Sequence, residues 1–88
     1  MTIKKLSIRT DDGLQPKAAA LLVQVASKYS SSILIEQGSK RVNAKSIMGV
    51  LSLRMHRGET FLLAVSGADE EEAANALAHL IEKGEVKQ

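Results

Sequence analysis

Residues 33–43, Ile-Leu-Ile-Glu-Gln-Gly-Ser-Lys-Arg-Val-Asn, decide the fold of this chain. The run at 33–37 is rich in β-branched residues, which favour strands. Residues 38–39, Gly-Ser, form a two-residue connection of the kind that closes a β-hairpin into a second strand at 40–43. Because hairpin-length connections join antiparallel strands, we expect a mainly antiparallel sheet.

Short strands and amphipathic helices alternate on both sides of this hairpin. Upstream, residues 3–9 alternate apolar and polar side chains, as a half-buried strand does. A helix follows from Pro16, because a proline in the first helical turn loses no hydrogen bond. Downstream, the pattern predicts a short helix at 46–54 and a strand at 61–65. The apolar residues that recur at helical spacing in the first helix are Ala18, Leu21, Leu22, Val25 and Ala26.

The last helix has the clearest signals at its two ends. Asp69 is a candidate N-cap, Glu72 lies three residues later as in a capping box, and Gly84 is a candidate stop. The resulting order, β-α-β-β-α-β-α, predicts an α+β fold that forms a single domain over residues 1–88. We expect an open-faced two-layer sandwich, in which three helices cover one face of a four-stranded sheet. The predicted buried stripe of the last helix is Ala73, Ala76, Leu77, Leu80 and Ile81.

The composition excludes several classes of protein. The chain has 88 residues, 44% of them apolar and 25% charged, which is ordinary for one small globular domain. It has no cysteine, which excludes disulfide frameworks, cysteine-ligated zinc, thiol nucleophiles and iron–sulfur clusters. No apolar run approaches the roughly 20 residues of a membrane span, and no signal-peptide pattern is present, so we expect a cytoplasmic protein. Two aromatic residues, Tyr29 and Phe61, are too few to stack single-stranded nucleic acid.

Catalytic and metal-binding patterns are poorly represented. His56 lies in a charged turn and His79 falls on the last predicted helix, and neither has a carboxylate or hydroxyl at a recognisable motif spacing. We therefore expect two surface histidines. The acidic run at 69–72 is better explained by the dipole of a helix N-terminus than by a cation site. The sequence has no phosphate-binding or dinucleotide-binding glycine motif, so no cofactor and no metal are expected.

Two predicted helix N-termini combine unpaired backbone N–H groups with a nearby lysine, an arrangement that can hold an anion. The first is residues 13–17, Gly-Leu-Gln-Pro-Lys, and the second is residues 43–49, Asn-Ala-Lys-Ser-Ile-Met-Gly. Ser46 in the second stretch can be an N-cap or a phosphorylation site. The residues alone favour the N-cap.

The second helix has an unusually wide apolar arc. At 100° per residue, its five apolar side chains spread over about 220°. If Val50 and Leu53 face the core, then Ile47, Met48 and Leu51 lie at least partly outside. This pattern fits either a generously packed short helix or a docking patch for a protein partner.

Three stretches of the sequence carry a resemblance to a known family: residues 21–24 (Leu-Leu-Val-Gln), 42–53 (Val-Asn-Ala-Lys-Ser-Ile-Met-Gly-Val-Leu-Ser-Leu) and 66–70 (Ser-Gly-Ala-Asp-Glu). Through them the chain resembles HPr, the phosphocarrier of the bacterial sugar phosphotransferase system, over nearly its whole length. The stretch around Ser46 is similar to the Gram-positive form of the family. The resemblance implies the same open-faced sandwich.

The sequence departs from the phosphocarrier pattern at the active site. HPr phosphocarriers have a Gly-Leu/Ile-His-Ala-Arg-Pro motif, and here Gln15, Lys17 and Ala18 stand at its histidine, arginine and proline positions. The nitrogen of a carboxamide is delocalised into its carbonyl, so Gln15 lacks the nucleophilic lone pair of an imidazole. Lys17 keeps the positive charge without the planar fork of arginine. Phosphocarrier activity at position 15 is therefore not expected.

Glutamine at this position, together with Ser46, is similar to the Crh branch of the family, the catabolite-repression HPr-like proteins. This resemblance implies that HPr kinase/phosphorylase phosphorylates Ser46, so the protein is a kinase substrate rather than an enzyme. It also implies that the phosphorylated protein binds a LacI-type regulator, catabolite control protein A, as a corepressor. Both a monomer and a strand-exchanged dimer are compatible with the sequence. The residues implied to contact the partner are Gln15, Lys17, Lys45, Ile47, Met48 and Leu51.

Two other functions stay open at this point. A phosphocarrier of the sugar phosphotransferase system with another acceptor would have to use His56, the only candidate in a turn. A nucleic-acid or anion binder is suggested by the pI of about 9.1. However, residues 1–57 hold ten basic and three acidic residues, whereas residues 58–88 hold two basic and seven acidic ones. This uneven distribution of charge favours a polarised protein surface with one position for phosphorylation over direct binding to nucleic acid.

Overall fold

The computed structural model describes residues 1–9, 16–53 and 56–83 of the chain. Its elements follow the order that the sequence predicts, β-α-β-β-α-β-α. None of the described helices is both long enough and apolar enough to span a membrane. The strands are β1 (Thr2–Ser7), β2 (Ser32–Gln37), β3 (Lys40–Asn43) and β4 (Thr60–Ser66), and the helices are α1 (Pro16–Ser27), α2 (Ile47–Leu51) and α3 (Glu70–Lys83).

The four strands form one sheet in the order β1-β4-β2-β3, and every neighbouring pair is antiparallel. The predicted hairpin is confirmed, since β2 pairs with β3 and Gln37 lies opposite Lys40 across the two-residue turn. Gly38 in that turn has a φ of 60°, a left-handed conformation that glycine adopts without steric cost. β4 lies between β1 and β2, so β1 pairs with a strand more than 50 residues downstream.

Alternation along the strands places the hydrophobic core on one face of the sheet. Phe61, Leu63 and Val65 of β4 and Ile33 and Ile35 of β2 are buried on that face. The three helices pack their apolar stripes against these side chains. The prediction of an open-faced α+β sandwich is therefore confirmed. The helical residues in the core are Ala19, Leu22, Val25 and Ala26 in α1, Val50 in α2, and Ala73, Ala74, Leu77, Leu80 and Ile81 in α3.

Some details of the predicted elements are wrong. The sequence predicts Ala18, Leu21 and Ala76 in the buried stripes, but these are only partly buried, whereas Ala19 and Ala74 are fully buried there. Alanines are small enough to pack at the edge of a stripe, so helical period alone does not separate neighbouring ones. The first strand ends at residue 7 instead of 9, although Ile8 beyond it is buried and its N–H still donates to the carbonyl of residue 59 at 3.0 Å.

The prediction of a capping box at the start of α3 is also wrong. The Asp69 carboxylate accepts hydrogen bonds from the N–H and hydroxyl of Ser31 and from the N–H of the preceding residue. It thereby ties the start of α3 to the segment before β2, which lies 38 residues earlier in the chain. Glu72 is exposed, and the carboxylate that accepts a backbone N–H next to the start of α3 is that of Glu70, whose Oε1 accepts the N–H of Gly67 at 3.3 Å.

These contacts lower the pKa of both carboxyl groups. The hydroxyl of Ser31, followed by the N–H of Ser30, holds the pKa of Asp69 below its ordinary value. The Thr2 hydroxyl donates to Glu70 at 2.7 Å and, together with the N-terminal ammonium at 3.0 Å, lowers the pKa of Glu70 to about 2. Both groups are therefore carboxylates at neutral pH, where they connect α3 to β1 and to the segment before β2.

Gly67 allows the segment before α3 to lie directly against Ser31. Its φ is 151°, a conformation that residues with a side chain rarely adopt. A Cβ at this position would lie 2.8 Å from the Cα and 2.9 Å from the Cβ of Ser31. Only glycine fits so close to Ser31. Ser31, Gly67 and Asp69 are referred to below as the Ser31–Asp69 clamp.

Candidate functional site

Ser46 precedes α2 with its side chain at the protein surface. Its backbone is extended, with φ −109° and ψ 116°, and its Oγ accepts a hydrogen bond from the N–H of Gly49 at 3.4 Å. Its carbonyl accepts the N–H of Val50 at 3.0 Å, which is the first backbone bond of the helix. This is the geometry of an N-cap, so that prediction is confirmed. The residue is also exposed, which leaves the hydroxyl accessible to a modifying enzyme.

α2 is shorter than the sequence predicts, because it ends at Leu51 instead of residue 54. Ser52 terminates it, since its N–H and its hydroxyl both donate to the carbonyl of Gly49, at 3.1 and 2.6 Å. The Nζ of Lys40 in turn donates to the carbonyl of Ser52 at 2.6 Å. A lysine at a helix C-terminus satisfies a free carbonyl and complements the helix dipole. β3 therefore fixes the end of the helix that Ser46 caps.

α2 buries one side and exposes three apolar side chains on the other. Val50 is fully buried and Leu53 is only 7% exposed, so both reach the core as predicted. Ile47, Met48 and Leu51 are 38%, 76% and 49% exposed. These three residues form a surface beside the N-cap serine, referred to below as the α2 patch. Their predicted exposure is confirmed, and their role in docking stays a prediction.

Lys45 precedes Ser46, but its ammonium group reaches toward α1. The Nζ of Lys45 donates to the carbonyl of Tyr29, two residues beyond the end of α1, at 2.8 Å. The N–H of Lys45 donates to Oδ1 of Asn43 at 2.8 Å, and the carbonyl of Asn43 accepts the N–H of Ser46 at 2.9 Å. Asn43 thus organises the turn that presents Ser46. This role was not predicted from the sequence, although an asparagine side chain commonly bonds the backbone two residues further on.

The other implied site residues lie in and before α1. Lys17 is exposed in the first turn of this helix, and its contact with a partner stays a prediction. Residues 10–15, which include Gln15, lie outside the described part of the chain. α1 and α2 pack against each other, so Lys17 and Ser46 both belong to the helical layer of the sandwich.

The two histidines lie on different elements of the fold. His56 is exposed in the turn before β4, as predicted, and its carbonyl accepts the N–H of Glu59 at 3.0 Å. His79 is partly buried in α3 and is therefore less exposed than expected. Within residues 1–9, 16–53 and 56–83, no three His, Cys, Asp or Glu side chains lie close enough together to hold a metal ion.

A small antiparallel sheet with three helices on one face, and an exposed serine at the start of the short second helix, defines an HPr-like domain. The chain belongs to the HPr family, because residues 3–83 match the family model described as the PTS HPr component phosphorylation site. Proteins of this family are phosphocarriers or regulators and are not classical enzymes.

Both HPr proteins and Crh proteins are similar to this chain. HPr-like protein Crh of Halalkalibacterium halodurans is 47% identical over 83 residues, which cover 94% of this chain and 99% of the relative. The crystal structure of HPr from Thermoanaerobacter tengcongensis superposes with a TM-score of 0.88 at 47% identity, covering 99% of this chain and all of the other. Crh of Bacillus subtilis, described as a domain-swapped intertwined dimer, gives a TM-score of 0.75 at 42% identity with complete coverage of both chains.

Proposed function

We propose that this protein is an HPr-like regulator of carbon catabolite repression that acts in the cytoplasm through phosphorylation of Ser46. HPr kinase/phosphorylase transfers the γ-phosphoryl group of ATP to the Ser46 oxygen, which loses its proton, and ADP leaves. The phosphorylated protein then binds a LacI-type regulator, catabolite control protein A, as a corepressor. Gln15 carries no phosphoryl group in this scheme, because a carboxamide is not a nucleophile of the required kind.

The observation that carries this proposal is the exposed Ser46 hydroxyl next to the α2 patch. The serine is available to a kinase, and the apolar side chains of Ile47, Met48 and Leu51 are available to a partner. A docking surface that combines a charge with apolar area gains specificity from the first and affinity from the second. The similarity to two proteins named Crh supports the same assignment.

Phosphorylation at this position adds charge without requiring a new fold. A phosphate adds about −1.5 to −2 charge at pH 7, and the free N–H groups and dipole at a helix N-terminus favour a negative group there. The Nζ of Lys45 is already held by the carbonyl of Tyr29, so the phosphate keeps charge available for an arginine or lysine of the partner. The expected switch is therefore the appearance of a dianion beside a surface that is already formed.

Treatment with purified HPr kinase/phosphorylase and ATP tests the first step. Mass spectrometry is expected to show one added phosphoryl group on the chain and none on Ser46→Ala. Ser52→Ala is the matched control, because Ser52 is the exposed serine at the other end of α2 and its hydroxyl bonds the Gly49 carbonyl. Modification that persists in Ser46→Ala, or that disappears only in Ser52→Ala, would contradict the assignment.

A calorimetric titration of catabolite control protein A with phosphorylated and unphosphorylated protein tests the second step. Binding is expected only after phosphorylation, and Met48→Ala is expected to weaken it about 5–30-fold, the equivalent of about 1–2 kcal/mol of apolar burial. Leu62→Ala is the control, because Leu62 is 39% exposed on the sheet face away from the helices. Equal affinity of Met48→Ala and Leu62→Ala would remove the α2 patch from the interface.

The proposal includes a strand-exchanged dimer alongside the monomer. β1 lies at the edge of the sheet and pairs with β4 along its whole length, so the same pairing can form between two copies. Separation of two species by size-exclusion chromatography, with slow interconversion on warming, is the expected result. A single species at every concentration and temperature would contradict this part of the proposal.

A further inference from the structure

The sheet face away from the helices carries an apolar patch that the proposed function does not use. Ile3 and Leu62 are 61% and 39% exposed on this face, and Leu34 and Ala64 are partly buried. The strand register brings them together, because Ala64 of β4 lies opposite Ile3 of β1 on one side and Leu34 of β2 on the other. These four residues are referred to below as the open-face patch.

Two charges of opposite sign flank this patch. Leu62 pairs with Lys5 of β1 on one side and with Glu36 of β2 on the other. Because neighbouring strands lie about 4.8 Å apart, Lys5 and Glu36 stand at nearly equal distances from Leu62. The Nε and Nη2 of Arg41 both bind Oε1 of Glu36, at 3.0 and 2.9 Å, so this ion pair engages one of the two carboxylate oxygens.

The arrangement of apolar and charged side chains on this face is complementary to a second copy of itself. Consider two sheets that face each other, related by a two-fold axis between them that runs along β4. Such an axis keeps each side chain at its height along the strands and places β1 of one copy over β2 of the other. Lys5 then faces the second copy's Glu36, Ile3 faces its Leu34, and Leu62 faces its own equivalent. The Lys5–Glu36 and Ile3–Leu34 contacts each occur twice and the Leu62 contact lies on the axis, as in an isologous interface.

We propose that the open face of the sheet is a docking surface for a second copy of this chain, with the two sheets packed face to face about β4. The apolar patch lies at the centre and the two Lys5–Glu36 pairs lie beside it. Sheets packed in this way lie about 10 Å apart, a distance that lysine and glutamate side chains span together. The patch covers three strands only, so the association belongs to the weak class, with a dissociation constant on the order of 0.1–1 mM.

This association differs from strand exchange in its chemistry and its rate. Strand exchange reuses the β1–β4 pairing and needs that pairing to open first. Face-to-face docking leaves both sheets intact, so it equilibrates quickly on dilution and depends on the charges at Lys5 and Glu36. The two associations are also compatible, since exchange of β1 leaves the side chains of the open face in place.

Sedimentation equilibrium and dilution-dependent amide chemical shifts, recorded from about 0.05 to 1 mM, test the proposal. The wild-type chain is expected to dimerise reversibly, with shifts concentrated at Ile3, Lys5, Leu34 and Leu62. Lys5→Glu is expected to weaken the dimer at least tenfold, because it places two like-charged pairs in the interface. The double variant Lys5→Glu/Glu36→Lys restores opposite charges and is expected to recover affinity to within about threefold. Lys28→Glu, an equal change at an exposed residue after α1, is the control and is expected to have no effect.

A second variant tests the same interface without charge exchange. Leu62→Glu places two carboxylates on the two-fold axis and is expected to abolish the dimer, whereas Leu51→Glu on the α2 patch is expected to leave it unchanged. The proposal is overturned by a monomer throughout the concentration range, by a dimer indifferent to Lys5→Glu, or by failure of the double variant to recover. A dimer that forms only on the timescale of unfolding would be strand exchange and would also overturn it.

Discussion

Gly67→Ala is expected to destabilise the protein through the Ser31–Asp69 clamp. Two costs combine at this position. A residue with a side chain at φ 151° carries about 1–3 kcal/mol of backbone strain. The new Cβ also lies within 3 Å of Ser31, at 2.8 Å from its Cα and 2.9 Å from its Cβ, and overpacking of this kind costs about 1–3 kcal/mol. The expected loss is therefore about 2–6 kcal/mol of the free energy of unfolding, out of the 5–15 kcal/mol typical of a small domain.

Urea unfolding followed by circular dichroism measures this loss, with a parallel thermal scan in which Tm is expected to fall by at least about 8 °C. Gly38→Ala is the matched control. Gly38 also has a positive φ, of 60°, but a Cβ there meets no atom within 4 Å, so strain alone should cost about 1–2 kcal/mol. The reasoning is refuted if both variants lose the same stability.

A double-mutant cycle isolates the collision itself. Ser31→Gly removes the Cβ and hydroxyl, two of the three atoms nearest to the new methyl group, and leaves the Cα in place. The combined variant Ser31→Gly/Gly67→Ala is therefore expected to be less destabilised than the sum of the two single changes. Strict additivity would mean that Gly67→Ala does not act through contact with the side chain of Ser31.

Three further predictions concern the acidic helix start and the helix that Ser46 caps. Because the pKa of Glu70 is lowered to about 2, its ionised form contributes stability above the ordinary glutamate pKa. This contribution is lost as the pH falls from about 5 to 2, so the urea midpoint of wild type should decline there, and Glu70→Gln should start lower and decline less. Lys45→Met keeps the aliphatic stem but loses the hydrogen bond to the carbonyl of Tyr29, and should reduce the free energy of urea unfolding by about 0.5–1.5 kcal/mol. Val50→Ala empties a fully buried site under α2 and should cost about 1.5–3 kcal/mol, seen in a thermal scan as a fall in Tm of at least about 6 °C. A urea midpoint that does not change between pH 5 and 2 would contradict the role of Glu70. An unchanged free energy of unfolding in Lys45→Met, or an unchanged Tm in Val50→Ala, would contradict the contact that the variant removes.

The order of elements and their core faces follow from local patterns, and these were predicted. The hairpin of β2 and β3 is encoded by a glycine turn between two short runs, so its partners are adjacent in sequence. Strand order is different, because β4 between β1 and β2 depends on which distant strands bury the most apolar surface together. The true partner of Asp69 was missed for the same reason. Ser31 is 38 residues away, and the local spacing to Glu72 offered a closer but incorrect candidate.

The candidate site was predictable where backbone chemistry decides it. A serine at the start of a predicted apolar helix predicts an N-cap at Ser46, and the width of the apolar arc predicts the exposed residues of the α2 patch, as the structure has them. The lysine hydrogen bonds that hold the site in place were not predictable, because a lysine side chain is long enough to reach several different carbonyls. Lys40 donates to the carbonyl of Ser52 after α2, and Lys45 donates to the carbonyl of Tyr29 after α1. Which carbonyl each lysine reaches depends on how the helices pack against the sheet.

The position of β4 between β1 and β2 also determines how long β1 waits for its pairing strand during synthesis. The ribosome completes β1 early, but its only described pairing strand begins 53 residues later, with Ser7 opposite Thr60. At about 5–20 residues per second, β1 waits about 3–11 s before that strand exists. Until then its backbone N–H and C=O groups have no β4 to pair with, and the four basic and apolar residues from Ile3 to Leu6 are available to another chain once they have left the ribosome. β1 is thus made well before the strand that pairs with it, and on a crowded polysome it has time to meet a neighbour's β4 before its own.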